Sequence, residues 1–279
     1  MTGITDEPGT VRGVDDEVRS VPAAEPPSIL SKAFDLLRAF NSESRVMTLS
    51  ELSRASGLPK STVHRLIARL IDLGAVETHR SGYVVSLDLL QLAVNTPAGG
   101  MRDNALPFLA ALHRWSGLSV ELGVLRQFDV LFLDKMARHG APEHRAGVGS
   151  RLPANATALG KILLASENLE DLESFLPRPM PLMSGATVTD VDELVIELRK
   201  VRGDAIAHER DEAQPGVSSS AVPIIIHDFA VGAVSVTYAT GADVGAKVQN
   251  ALRDTAAQIA RVCKAEMAQG KTHYFPHEL

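Results

Sequence analysis

Two groups of side chains in this sequence have the types and spacing for chemistry. The first is Lys60, Ser61, Thr62, His64, Arg65 and Arg69, with Arg80 a short distance on. Lysine, serine and threonine suit phosphate oxygens, which position a protein on a duplex without reading its sequence. Histidine and arginine suit base edges, arginine above all through two parallel bonds to guanine. The second group is Glu209, Asp211 and Glu212, followed by Ser218, Ser219 and Ser220. Carboxylates beside hydroxyls suit acid–base work or a polar pocket, while the serine run alone also suits an exposed edge strand. For catalysis the supporting patterns are missing: there is no G-x-S-x-G elbow, dinucleotide fingerprint or metal-ligand spacing. Lys161 follows Gly160 without the spaced glycines and the Ser/Thr of a phosphate loop. His139 and His144 lack neighbours at ligand spacing and read as loop histidines. His113 and Trp115 read as core and helix-boundary residues. No metal and no cofactor is expected.

The first group needs an element to present it, and the surrounding sequence supplies one. Thr48 followed by Glu51 is a capping box, in which the hydroxyl and the carboxylate each satisfy an amide of the helix start. Leu49, Leu52 and Ala55 give the short helix that follows one apolar face. Gly57 is placed to end it in the left-handed conformation, and Pro59 suits the first position of a second helix. In that helix Val63, Leu66, Ile67, Leu70 and Ile71 form the inward stripe, and Gly74 stops it. The polar residues occupy the opposite face and crowd toward the N-terminal end, the end that meets base edges in a helix-turn-helix. The next stretch, AVETHRSGYVVS, holds two β-prone runs around His79-Arg80-Ser81-Gly82, a hairpin of the wing type. Arg80 would there reach the backbone or the minor groove.

Composition bounds what else the chain can be. At 279 residues it has room for two domains, and 45% hydrophobic and 22% charged residues are ordinary for a globular protein. A single cysteine, Cys263, excludes an internal disulfide and a multi-cysteine zinc site and fits a reducing cytoplasm. No apolar run approaches a membrane span, and the first residues lack the basic and apolar regions of a signal peptide, so a cytoplasmic location is expected. The net charge of −6 is unevenly placed. Residues 28–95 hold eight Lys/Arg against six Asp/Glu, a modest excess that calls for dimerisation if binding to DNA is to be tight.

The rest of the chain reads in order as follows. Residues 1–27 are acidic, rich in Pro and Gly and without apolar period, and read as a disordered tail. Ser28 caps a helix with Leu30, Ala33, Phe34, Leu37 and Phe40 on one stripe, completing a three-helix core for residues 28–86. Residues 87–100 read as a linker helix (Leu87, Leu90, Val94) broken by TPAGG at Thr96–Gly100. An α+β domain follows over 101–267, with 268–279 as a tail. Its expected elements are a helix over 104–116, then strands SVELGVLR and DVLFLDKM and a third strand at 143–148. A helix over 155–166 and another over 191–202, ended by Gly203, come next. Strands AIAH, SSSAVPIII and AVGAVSVTYA precede a long helix over 244–267. Ser235 and Thr237 alternate with Val234 and Val236 and so share one face of their strand.

Three segments resemble the IclR-type transcriptional regulators: GLPKSTVHRLIARLIDLG, VGSRLPANATALGKILLA and ERDEAQPGVSSSAVPI. The resemblance runs from about Ser28 to Val262 in the right order. It implies a winged helix-turn-helix, a linker helix and a GAF-like effector domain with an antiparallel sheet. It implies a dimer or dimer of dimers on palindromic promoter DNA, acting as a repressor rather than an enzyme and sensing a small metabolite, commonly a carboxylate. Carried over by position, the backbone amides of Ala158 and Leu159 would hold the ligand carboxylate, a suitable role for a helix start. Glu209 stands where the family has an aspartate and Ser219 where a cysteine is typical, with Ser235 and Thr237 at two hydroxyl positions lining the pocket. The alternative from a different class is an enzyme in residues 101–267 localised by the DNA-binding module.

Overall fold

The computed structural model describes residues 28–40, 44–169, 172 and 176–270; the expected tail over 1–27 and residues 271–279 of the expected C-terminal tail lie outside them. Three helices, α1 (Ile29–Ala39), α2 (Leu49–Ser56) and α3 (Lys60–Asp72), pack with the hairpin β1 (Val76–His79) and β2 (Gly82–Val85). Their shared core is Leu36, Met47, Leu52, Val63, Leu66, Ile67, Leu70 and Val76. The capping box forms in full: Thr48 N–H donates to the Glu51 carboxylate at 2.8 Å and Glu51 N–H to the Thr48 hydroxyl at 3.3 Å. Those bonds hold the Glu51 carboxyl below its usual range. Gly57 takes the left-handed conformation at φ 69°. Pro59 is the cap of α3 rather than its first residue, and its carbonyl accepts from Thr62 and Val63.

Two expectations for this part need correction. Ala55 is exposed, so the inner face of α2 rests on Leu52 with half-buried Leu49. On α1 the fully buried residue is Leu36, which the expected stripe left out, whereas Leu30 and Phe34 are 70% and 57% exposed. The helix is rotated so that Leu36, with Ala33 and Leu37 beside it, faces the core, and Ile29, Leu30 and Phe34 form a separate apolar strip outside it.

α4 (Asp88–Val94) leads into α5 (Pro97–Ser116). TPAGG is a helix start: Thr96 caps α5, its hydroxyl accepting from Gly99 N–H at 3.1 Å, and Pro97 sits at the first position. The break before it is a short one at Asn95–Thr96. A six-stranded antiparallel sheet follows, in the order β5-β4-β3-β8-β7-β6. Its strands are β3 (Ser119–Arg126), β4 (Asp129–Met136), β5 (Arg151–Pro153), β6 (Ala207–Arg210), β7 (Val217–Ile226) and β8 (Phe229–Ala239). β7 and β8 join through His227 and Asp228, both at positive φ as a tight hairpin requires. One face of the sheet packs on α5 and on α8 (Gly245–Ala268) through Val120, Leu122, Val222, Val234 and Val236. The other face carries α6 (Ala158–Ser166) and α7 (Val191–Asp204).

The strand expected at 143–148 is not formed; the third strand is the short β5. Lys135 explains the difference. Its ammonium donates to the carbonyls of His144 and Ala146, so this backbone is satisfied by a side chain instead of a strand partner. α7 runs past Gly203 to Asp204, and the left-handed residue that ends it is Ala205 at φ 51°. Trp115 is 58% exposed and so does not join the core. No described helix is long and apolar enough to cross a membrane.

Candidate functional sites

The polar face of α3 is set by the packing of its other face. With Val63, Leu66, Ile67 and Leu70 buried, Lys60, Ser61, His64, Arg65 and Arg69 are all exposed and Thr62 is half-buried. Ser61, Arg65 and Arg69 recur at four-residue spacing and form one stripe. Arg69 is tied to Asp72 at 3.5 Å, both ends in solvent, which leaves Lys60, His64 and Arg65 as the forward groups. The hairpin stands beside this helix with Arg80 exposed at its tip. It is anchored along the outer edge of β2 just past the turn, where Met47 and Tyr83 exchange backbone hydrogen bonds at 3.0 and 2.8 Å. At Gly82 a Cβ would collide with the Met47 carbonyl, so this third edge of the wing requires glycine.

The second site lies on the α6 side of the sheet. Antiparallel pairing sets Glu121 opposite Ser235, Ser119 opposite Thr237, Ser219 opposite Thr237, and Glu209 opposite Ser219. Directly paired residues share a face, so four strands bring these polar side chains together. All are essentially inaccessible to solvent. The Glu121 carboxylate accepts from the hydroxyls of Ser235 and Thr237, each at 3.1 Å. Glu209 accepts from the Ser219 hydroxyl at 2.9 Å and from the amides of Glu212 and Ala213 at 2.9 and 3.2 Å.

His144 closes this arrangement: it stands on a loop, as its reading as a loop histidine expected, but is buried there between two carboxylates. It is 2% exposed, with Nδ1 at 3.2 Å from Glu121 and Nε2 at 3.4 Å from Glu209. Both ring nitrogens face acceptor-only carboxylates, which defines the doubly protonated imidazolium. Burial works against that charge, but the Glu121 carboxylate, with Glu209 behind it, outweighs burial and raises the His144 pKa to about 10. Glu121 responds in kind: against the burial that would raise it, His144 and Lys135 hold its carboxyl below the usual range. Ser220 faces the other way, sharing hydrogen bonds with His208 and Tyr238 on the opposite side of the sheet.

Of the expected effector residues, Glu209, Ser219, Ser235 and Thr237 are brought together. Ala158 and Leu159 are the first two residues of α6, buried against the same face, where the Leu159 side chain lies near Gly123. The Thr157 hydroxyl accepts from Gly160 N–H at 3.0 Å and its carbonyl from Lys161 N–H, so the amides of Ala158 and Leu159 precede the helical ladder. Lys161 is wholly buried and bonds Glu197 and Glu212, each at 2.7 Å, which ties α6 to α7 and to the loop that follows β6. Burial raises the Glu212 carboxyl, although Lys161 draws it down. Sequence reasoning missed Glu121 and His144. Glu121 left a signal, as an acid inside the otherwise apolar run SVELGVL, where burial demands a partner. His144 left none, because its partners come from β3 and β6. Among the described residues no group of three or more His, Cys, Asp or Glu has the geometry to hold a metal ion.

A winged helix-turn-helix joined to a domain with a buried polar cluster defines a DNA-binding regulator with a sensing domain. The family comparisons agree. Residues 29–80 match the IclR helix-turn-helix domain, and residues 98–261 match the bacterial transcriptional regulator IclR C-terminal domain. This chain belongs to the IclR family of transcriptional regulators. It is 32% identical over 216 residues to the glycerol operon regulatory protein of Streptomyces coelicolor, covering 75% of this chain and 83% of that one. The regulator XynR of Escherichia coli is 26% identical over 206 residues, covering 72% and 82%. An IclR homologue from Microbacterium hydrocarbonoxydans, crystallised with 4-hydroxybenzoate, superposes with a TM-score of 0.77 at 28% identity, covering 85% of this chain and all of that one.

Proposed function

We propose that this regulator binds a palindromic promoter site as a dimer or tetramer, acts as a repressor, and changes its grip when a small organic acid enters the sheet face around Glu209. The observation that carries the reading is the pairing of an exposed cationic α3 with a buried cluster of hydroxyls and carboxylates in the second domain. Lys60, Ser61 and Thr62 would hold phosphates, His64 and Arg65 would meet base edges with Arg69 beside them, and Arg80 would reach along the backbone. The resemblance's carboxylate would lie at the start of α6, against the amides of Ala158 and Leu159. The relative crystallised with 4-hydroxybenzoate supports a small acid as ligand.

Self-association is supported by apolar side chains left outside both cores: Ile29, Leu30 and Phe34 on α1, and Leu90, Leu92 and Val94 on α4. A route between the sites is supported by the strands themselves. Glu121 and Ser235 face the cluster, while Val120 and Val234 beside them pack with Met101 and Ala105 of α5, which continues from α4. A ligand that repositions β3 and β8 would thereby move the linker and change the spacing of two recognition helices. No catalytic step is proposed, because the Glu209 carboxylate is fully engaged by amides, a hydroxyl and an imidazolium. A cytoplasmic location follows from the DNA partner.

Fluorescence anisotropy tests this directly, using the DNA upstream of the chain's own gene and a random duplex at two salt concentrations. Tight, salt-sensitive binding that survives random competitor, and that shifts with an added organic acid, is expected. Equal weak binding to both duplexes, with or without acid, contradicts it.

A further inference from the structure

The polar cluster offers almost nothing but acceptors. The hydroxyl protons of Ser219, Ser235 and Thr237 are all donated to carboxylates, so these groups present only lone pairs to a newcomer. Glu121 and Glu209 are acceptors throughout and are both 0% exposed. What joins them is the chain's own His144, held at 3.2 and 3.4 Å from the two carboxylates. Those spans are long for charge-assisted hydrogen bonds, which run to about 2.7–2.9 Å. The imidazolium is the one part of the cluster that belongs to no strand or helix; it comes from the segment between β4 and β5. On either side of that segment lies an open cleft, about 450 Å³ beside Lys135 and Glu143 and about 480 Å³ beside Leu152, Met183 and Pro215. His144 lines both.

We infer that the effector places a cationic hydrogen-bond donor, an ammonium or amidinium group, between Glu121 and Glu209 in the position that His144 holds, with its less polar part in the Leu152–Met183–Pro215 cleft. The inference rests on the effector-domain reading above and narrows it. An anionic group entering between two buried carboxylates would find no donor there and would add a third like charge. A neutral hydroxyl would supply donors but leave two negative charges facing each other without compensation, a costly state in a dry interior. A cation restores both the bonds and the charge. The family resemblance leads to a carboxylate in this region, and a carboxylate at the start of α6 remains compatible, on a ligand that bears both groups. The facing pair of buried carboxylates, Glu121 and Glu209, sets the end nearest the sheet to the opposite sign.

Removing the internal cation and returning it from solution tests this. In the full chain, His144→Ala is melted with EDTA present and with imidazolium, methylammonium or acetate added at the same ionic strength. Imidazolium and methylammonium should raise the variant's Tm by about 2–4 °C for each tenfold excess over their dissociation constants, with acetate inert. If the alanine variant does not fold, His144→Ser, which keeps a donor toward the carboxylates, takes its place. Glu121→Gln in the same background should abolish the rescue. Stabilisation by acetate but not by the cations overturns the inference while leaving an effector site in place. Equal response to all three salts, or rescue that survives Glu121→Gln, also overturns it. Anisotropy on the same samples separates the two readings: rescue without any change in DNA affinity upholds the cation site and removes its assignment to the effector.

Discussion

At the scale of single residues, the two sites differ in how their charges are used. Arg65 is exposed on the recognition face and bound to no acid among the described residues, so its guanidinium is available to a base edge. Arg65→Ala should weaken operator binding by about 1–3 kcal/mol and relax specificity at one position, measured by anisotropy on single-base operator variants. Equal loss on operator and random duplex would make it a phosphate contact. His144 is the opposite case, a charge used inside. Its pKa of about 10 lies above the ordinary 6.5, so the folded state binds its proton more tightly than the unfolded state. That contribution to stability is complete below about pH 6.5 and is lost as pH rises toward 10. Melting curves from pH 6.5 to 10 should therefore fall more steeply for the natural chain than for His144→Ala. Parallel curves would show that the imidazolium does not carry this stability.

At the scale of elements, what was legible in the sequence follows from whether an element's partners are near in the chain. The helix-turn-helix was readable because caps, a left-handed glycine and a helical period are local signals; Thr48, Glu51 and Gly57 do what their types require. The strands β7 and β8 were readable as β-prone runs, which are local signals too. The failures depended on distant groups. Residues 143–148 hold only one strand-favouring type, Val148, and the carbonyls of His144 and Ala146 are taken by Lys135 on β4. Leu36 and Phe34 lie on nearly opposite faces of α1, and only the packing of α2 and α3 decides which turns inward. The cluster residues Glu209, Ser219, Ser235 and Thr237 came from the family resemblance, whereas Glu121 and His144 needed the sheet order. Gly82 gives an element-scale test. Gly82→Ala places a methyl against the Met47 carbonyl and should cost about 1–3 kcal/mol, loosening the wing from α2. Thermal unfolding should show the loss in the N-terminal module, with the cluster domain unchanged. An unaltered melt would mean that the Met47–Tyr83 bridge does not anchor the wing.

At the scale of the whole molecule, the net charge of −6 and a modest local basic excess make a single copy a weak DNA ligand. Two copies joined through the apolar strips of α1 and α4 would double the phosphate contacts and fix the spacing of the half-sites. Leu90 is exposed in the chain, so Leu90→Asp should leave the fold of the single chain intact by circular dichroism. It should shift sedimentation toward the monomer and make DNA binding fall off with protein dilution. A variant that remains dimeric would move the interface elsewhere. The central claim is that the exposed face of α3 reads a symmetric sequence. Selection of binding sites from a pool of random duplexes by the full chain tests it most directly. Enrichment of a sequence with two inverted half-sites, lost with Arg65→Ala, is the predicted result. A pool that stays random after successive rounds, although the protein retains salt-sensitive binding to it, would contradict the account.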